Sequence, residues 1–437
     1  MPSPTSEPVR VAVLADSDTR WKWGALTARR IAPGPAALTG FLLRGRATPT
    51  ARQLAEVGAE ADAIHEVTAA EFLRRAGGDA YDVIVLALVG GGVQALLHGL
   101  AAQPTPDRPV VVTGYVGVVY EKLADGLLLR HGADLVLANS RRDAERFRAV
   151  YEGVGADASA VTEAALPFLG GEAYRPEAGR DTLVFATQPS VPAARADRAH
   201  LLRRLIEHAR LHPAREVVLK LRSRPGEHTT HLEELPYQRL AEKAPGGLPP
   251  NLTLAHGHMG EVLDRTDLLV TVSSTAAMES LHRGIPTAIL TDLGVRESLG
   301  NHHFIGSGLL TSFDRLDAGH RPVPDPLWLA GQGVAADGRY ENAFDTARER
   351  VAELLARPGL PPLAPYYTAA TAPGYLPGIL ARHRLGPDGV PLPGAAGEAG
   401  PGGVRRLVRD AVRGAARGAY RHGVQRVAPA IRRVGEL

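Results

Sequence analysis

The chain has 437 residues, 44% hydrophobic and 22% charged, with a formal net charge of +3. That length suits two or three domains, the composition is that of an ordinary globular protein, and the small net charge argues against nucleic acid as a partner. No cysteine is present, which excludes disulfides, thiolate metal sites and a cysteine nucleophile, and no apolar run reaches the about 18 residues of a transmembrane helix.

The start, MPSPTSEPVR, lacks the apolar stretch of a secretory leader, so a cytoplasmic location is expected. Residues 1–8 read as disordered. VRVAVLA (9–15) is a β-rich apolar run of the kind that forms a buried parallel strand, and a helix is expected over 21–30. Strands follow at 37–43, 81–88, 109–114 and 133–140, the second of them ended by Gly90-Gly91-Gly92, and 141–151 reads as a polar helix. The pattern breaks near 170–180 and restarts. Strands are expected at 182–187, 216–221, 251–255, 268–272 and 286–291, with helices at 194–212, 259–264, 276–283 and 342–356.

Strand–helix alternation of this kind predicts an α/β protein made of two tandem Rossmann-like, doubly wound domains with a cleft between them. The expected boundaries are an acceptor-binding domain at 9–170 and a nucleotide-sugar-binding domain at 181–357. A Pro-rich wrap-back segment at 358–385, a Pro/Gly linker at 386–403 and a basic amphipathic tail at 404–437 complete the chain.

The stretch DLLVTVSSTAAMESLHRGIP (267–286) carries the most chemistry. An apolar strand runs into Ser273, Ser274 and Thr275 at a helix start, where free amides, the helix dipole and hydroxyl donors favour a phosphate. Glu279, set among Ala276, Ala277, Met278 and Leu281, is placed to accept hydrogen bonds from ribose hydroxyls. The alternative is that Ser273 merely caps the helix and Glu279 is a solvated helix residue.

This stretch, closed by Gly284-Ile285-Pro286, resembles the donor-nucleotide motif of GT-B-fold glycosyltransferases, and it is also similar to the nucleotide-sugar 2-epimerases that share the fold. Together with FATQP (185–189) and VLKLR (218–222) it is similar to capsule-type and polysialyltransferase-like enzymes. The start ADSDTRWKW (15–23) resembles that of actinobacterial glycosyltransferases. The sialyltransferase-like relatives carry a His-Pro pair after the Lys-containing strand. Here Arg222-Ser223-Arg224-Pro225 stands in that place, so the donor nucleotide stays open. The resemblance implies a nucleotide-sugar substrate, no other cofactor and no metal.

Further donor contacts are expected from Lys220, Arg222 and Arg224, which share a face on an extended segment, or they form a solvated strand exit. Gln188, after the first strand of the second domain, is a candidate contact for donor phosphate or acceptor, or part of a simple turn. His256 and His258 are candidates for the nucleobase, and Asn301 and His303 for the donor sugar. His228 and His231 read mainly as surface loop.

In the first domain, Asp18 or Asp16 is the candidate general base that deprotonates an acceptor hydroxyl, Asp18 being preferred; alternatively Asp16 caps the following helix. Arg20, Trp21, Lys22, Gly91 and Tyr115 are expected to bind the acceptor, with tryptophan stacking on sugar or, for one of the two neighbouring tryptophans, packing in the core. A glycan or lipid-linked acceptor is expected, with the tail lying on an anionic membrane surface. The alternatives are a nucleotide-sugar 2-epimerase and a non-catalytic sugar-nucleotide-binding protein.

Overall fold

The computed structural model describes residues 7–45, 47–77, 80–103, 107–118, 122–222, 235–334 and 340–395. Arg224, His228, His231 and the expected tail at 404–437 lie outside the described residues. The chain divides into two compact units. Among the described residues, unit 1 comprises 7–168 together with 330–395, and unit 2 spans Leu169–Leu329.

Unit 1 holds seven strands, β1 (Val9–Ala15), β2 (Ala36–Leu43), β3 (Ala63–Val67), β4 (Val83–Ala87), β5 (Val110–Gly114), β6 (Leu135–Ala138) and β7 (Val161–Glu163). They are all parallel and ordered β3-β2-β1-β4-β5-β6-β7. Unit 2 repeats the plan with β8 (Thr182–Ala186), β9 (Glu216–Lys220), β10 (Leu252–Ala255), β11 (Leu268–Thr271), β12 (Thr287–Leu290) and β13 (Leu310–Thr311), ordered β10-β9-β8-β11-β12-β13 and also parallel. The expectation of two doubly wound α/β units holds. Strands such as VIVLA of β4 and TLVFA of β8 are buried throughout, because helices cover both faces of a parallel sheet and leave no polar side to alternate.

In both units the winding reverses between the first and fourth strands, which opens a crevice at their carboxyl ends. Register brings the exits level. Ala15 pairs with Ala87 in unit 1, and Ala186 with Thr271 in unit 2. The loops that follow therefore leave each sheet side by side.

Local chemistry explains where the helices start. Ser17 caps helix Asp18–Ile31 and Ser140 caps Arg141–Gly153 through their hydroxyls, and Thr50 and Thr68 form capping boxes with Gln53 and Glu71. The cap of the first helix is thus Ser17 and not Asp16. Close helix–sheet contact has its own signature. At Gly24 a methyl group would come within 2.6 Å of Val13 Cγ1 and 2.9 Å of Ala87 Cβ, so the helix lies directly on β1 and β4.

Two boundaries differ from expectation. Helix Asp345–Leu355 belongs to unit 1, not to unit 2. The chain is held there by Tyr340, whose hydroxyl donates to Leu166 O, and by the Arg30 guanidinium lying 4.7 Å over the Tyr340 ring and 4.9 Å over that of Phe344. These partners are far apart in sequence, so periodicity cannot assign the helix to a unit. The expected linker also starts later than residue 386. Leu376, Ile379, Leu380 and Leu385 join the unit 1 core, and residues 385–392 fold back through Gly386 N to Val390 O and Leu392 N to Arg384 O. Gly389 permits this at φ +82, where a side chain would strike His98 O at 2.5 Å.

Candidate functional site

The unit 1 crevice is built on Asp16, the first residue after β1. Its Oδ2 accepts from Val89 N at 3.0 Å and its Oδ1 from Arg20 Nη1 at 2.9 Å. One carboxylate thus ties the loop after β1 to the loop after β4 and to the first turn of the helix. Asp18 is 8% exposed and turns back on its neighbour, its Oδ1 taking the Thr19 amide and hydroxyl. Of the two candidate bases, Asp16 is the one that spans the crevice.

Gly90-Gly91-Gly92 form the first turn of helix Gly90–Ala101 and do not continue the loop. Gly91 packs towards Ile379, and a methyl group on Gly92 would lie 3.8 Å from His383 Cε1. His383 therefore stands over this helix start. Burial pushes its imidazole below the ordinary histidine value, with the Asp16 carboxylate pulling the other way.

Arg130 is 5% exposed. It donates to Gly114 O at 3.0 Å and Gly126 O at 2.7 Å, and its guanidinium stacks 3.9 Å over the Tyr115 ring. Burial pushes the Tyr115 phenol above its usual value. Sequence reasoning missed both His383 and Arg130. His383 arrives on the returning C-terminal segment, and nothing in its local pattern marks it. Arg130 follows the short helix Leu123–Leu128, and its contacts with Gly114 and Tyr115 form only in the fold.

Of the expected acceptor contacts, Arg20 is paired with Asp16 and Lys22 lies 5.0 Å over the Phe168 ring. The stacking role expected of Trp21 is not available. Trp21 is fully buried with Nε1 donating to Ala59 O at 3.1 Å, and Trp23 is buried as well. Both rings are core, Trp21 lying against Gly40 of β2 and Trp23 against Gly114 of β5, to either side of the helix.

In unit 2, Gln188 makes the bridge that Asp16 makes in unit 1, from the second residue after its strand where Asp16 is the first. Its Oε1 accepts from Ser273 N at 3.1 Å and Ser273 Oγ at 3.3 Å, joining the loop after β8 to the loop after β11. Ser273 Oγ also donates to Leu299 O at 2.6 Å, and Ser274 Oγ accepts from Ala276 N at 3.3 Å. The helix is Ala276–His282 with Thr275 at its cap position, so Ser273 is not the cap. Glu279, 8% exposed, sits in the first turn and is not a solvated helix residue.

The loop that carries Gln188 is fixed from below by Arg198. This buried side chain donates to Gln188 O at 3.3 Å, Pro189 O at 3.1 Å and Pro192 O at 3.3 Å, and it lies 4.3 Å over the Tyr237 ring. Lys220 ends β9 almost buried, its Nζ donating to Leu221 O at 2.8 Å, and Arg222 is exposed beyond it. His256 and His258 flank Gly257 after β10, and His258 precedes helix Met259–Leu263.

Asn301 is wholly buried and holds its own loop, donating to Leu290 O and Gly294 O and accepting from Arg296 N, so it does not reach a sugar. His303 is also nearly buried, against Phe304 and Trp328. Asp292, after β12, takes the Phe313 amide, and burial pushes its carboxyl above the usual range.

Among the described residues one group has metal-ligand types in reach of one another, His208, His212 and Asp317. Arg215 donates to His208 Nε2 at 2.9 Å, which leaves the proton on Nδ1 for Asp317 at 2.5 Å. A metal on Nδ1 would turn an Nε2–H towards the Arg215 donor, so the donor set fits a hydrogen-bond chain better than a cation site. No described helix is long and apolar enough to cross a membrane.

Comparison with known proteins now bears on this geometry. The structure of UDP-GlcNAc 2-epimerase from Neisseria meningitidis, bound to UDP-GlcNAc, matches with a TM-score of 0.51 at 10% identity, covering 80% of this chain and 100% of that one. The glycosyltransferase SnogD from Streptomyces nogalater matches at 0.40 and 15% identity, over 79% of this chain and 96% of that one. The glycotransferase of kitacinnamycin matches at 0.42 and 16%, over 79% and 95%. At such identities the likeness to the epimerase shows the shared two-unit fold. Among curated protein sequences none matches significantly. The profile of the family DUF6716, described as "Putative glycosyltransferase", matches residues 11–354. The chain belongs to this DUF6716 glycosyltransferase family.

Proposed function

We propose that the chain moves a sugar from a nucleotide-sugar donor bound by unit 2 to a hydroxyl of a glycan or lipid-linked acceptor bound by unit 1. The observation that carries the reading is the crevice at the carboxyl ends of β8 and β11. There Gln188 and Ser273 join two loops beside the serine-rich turn, and Glu279 lies buried one turn on. Family membership and a fold shared with a UDP-GlcNAc-bound epimerase support a nucleotide-sugar ligand.

In the proposed step Asp16 takes the acceptor proton, with Asp18 as the second candidate. The acceptor oxygen bonds to the anomeric carbon, and the bond from that carbon to the diphosphate breaks. Hydrogen-bond donors at the serine turn, together with Lys220 and Arg222, stabilise the leaving diphosphate, with no metal or further cofactor. Glu279 holds the ribose hydroxyls.

The test is nucleotide release from a nucleotide-sugar, with and without acceptor glycans. Transfer predicts release that depends on the acceptor and falls at least about 100-fold in Asp16→Asn, the scale of a lost general base. Conversion of the sugar without acceptor and without release would instead make the chain a 2-epimerase.

A further inference from the structure

The two units share one strand order, and in each a side chain from the loop after the first strand accepts the second backbone amide after the fourth strand. In unit 1 that acceptor is Asp16 on Val89 N, and in unit 2 it is Gln188 on Ser273 N. The two amides are equivalent, since Val89 follows Ala87 by two residues as Ser273 follows Thr271, while the acceptors differ by one position, Asp16 being the first residue after Ala15 and Gln188 the second after Ala186. The groups differ in charge and in what their other end presents.

Ser273 N–H can only donate, so it fixes the Gln188 amide with Oε1 inward and leaves the two Nε2 hydrogens facing away. Among the described residues no hydrogen bond takes up Nε2, and Gln188 is half-buried at the crevice. Unit 2 thus presents a neutral pair of donors beside the serine turn. On the equivalent amide unit 1 presents a carboxylate. Asp16 fills its amide with a negative oxygen, and Arg20 is already bound to the other oxygen.

We propose that Gln188 is the specificity-determining residue that admits an anionic diphosphate to unit 2, and that Asp16, which bridges to the equivalent amide, bars such an anion from unit 1 and leaves that crevice to an uncharged hydroxyl-bearing ligand. The inference rests on the donor assignment made above for unit 2. It accounts for how two crevices of one topology take different partners. Each keeps the same bridge between loops, and a single amide-for-carboxylate difference sets the sign of what it binds.

The full-length protein is titrated calorimetrically with UDP, GDP, CDP and dTDP, and the diphosphate that binds is then titrated into Gln188→Glu together with its parent nucleoside. Glutamate keeps the acceptor for Ser273 N and replaces the outward donors by a negative oxygen. A purely structural role for Gln188 therefore predicts no loss. The expected result is one diphosphate bound per wild-type chain, an affinity at least about 30-fold weaker in Gln188→Glu from like-charge contact, and unchanged nucleoside affinity and melting temperature. Diphosphate affinity in Gln188→Glu within about threefold of wild type, or two diphosphates per wild-type chain, would overturn the inference. If no diphosphate binds the wild type at all, the donor assignment itself fails and the inference falls with it.

Discussion

Gly24→Ala sets two effects of known sign against each other. Within a helix alanine is favoured over glycine by about 1 kcal/mol, and nothing about this backbone forbids a side chain. Packing opposes it. The new methyl group would sit 2.6 Å from Val13 Cγ1 and 2.9 Å from Ala87 Cβ, whereas carbon atoms rest at about 3.5–4.0 Å. The helix must retreat by almost 1 Å, and overpacking of this kind costs about 1–3 kcal/mol or more.

Packing should win, for a net loss of about 1–2 kcal/mol. The displacement also acts on function. Helix Asp18–Ile31 carries Arg20, the partner of Asp16, and an error of about 1 Å in a reacting group can cost about 100-fold in rate. Urea unfolding followed by tryptophan fluorescence in a Trp328→Phe background reads unit 1, because Trp21 and Trp23 lie in its core and the third tryptophan, Trp328, lies in unit 2. Val13→Ala in the Gly24→Ala background removes the nearer clash, so the double variant should be more stable than the sum of the single effects by about 1 kcal/mol. A Gly24→Ala protein stabilised by about 1 kcal/mol would refute the reasoning, because propensity alone would then have decided.

Replacing Arg198 by Met should loosen the Gln188–Pro192 loop and weaken nucleotide binding about tenfold, with Arg198→Lys intermediate, since lysine keeps the charge but not the fork; equal affinities in a calorimetric titration would dismiss the loop-holding role. Burial holds His98 and His131 below the ordinary histidine value, against backbone hydrogen bonds that pull them up. Their folded values lie below the unfolded one, so the unfolded chain binds protons first, and stability should fall as pH drops below about 6.5. Urea midpoints between pH 7.5 and 5.5 check this, and His98→Gln should flatten the slope.

The sequence made the strands legible where they are buried on both faces. VAVLA (11–15) and LLV (268–270) are apolar without a break, as a covered parallel sheet requires. It hid β3, whose AIHEV sits near one edge of its sheet with the middle residues exposed, and the very short β7 and β13. The serine turn and Glu279 were visible because strand, small polar residues and helix follow one another along the chain. Asp16 was visible for the same reason. Its bond to Val89, the approach of His383 to Gly92 and the Arg198 clamp under Gln188 join residues distant in the chain, and only the fold brings them together. Tryptophan misled in the opposite direction. Two indoles beside cationic residues suggest a sugar platform, but Gly40 lets Trp21 lie flat on the sheet, where a methyl group would meet its ring at 2.6 Å.

The central claim, that unit 2 binds a nucleotide-sugar through the serine turn and Glu279, is tested most directly by thermal shift of the full-length protein. The panel is UDP-, GDP-, dTDP- and CDP-linked sugars, with Glu279→Ala alongside. A ligand that binds the folded state raises the melting temperature. The account predicts that one nucleotide class does so and that Glu279→Ala loses the shift. No shift from any member of the panel, or a shift of equal size in Glu279→Ala, would contradict it.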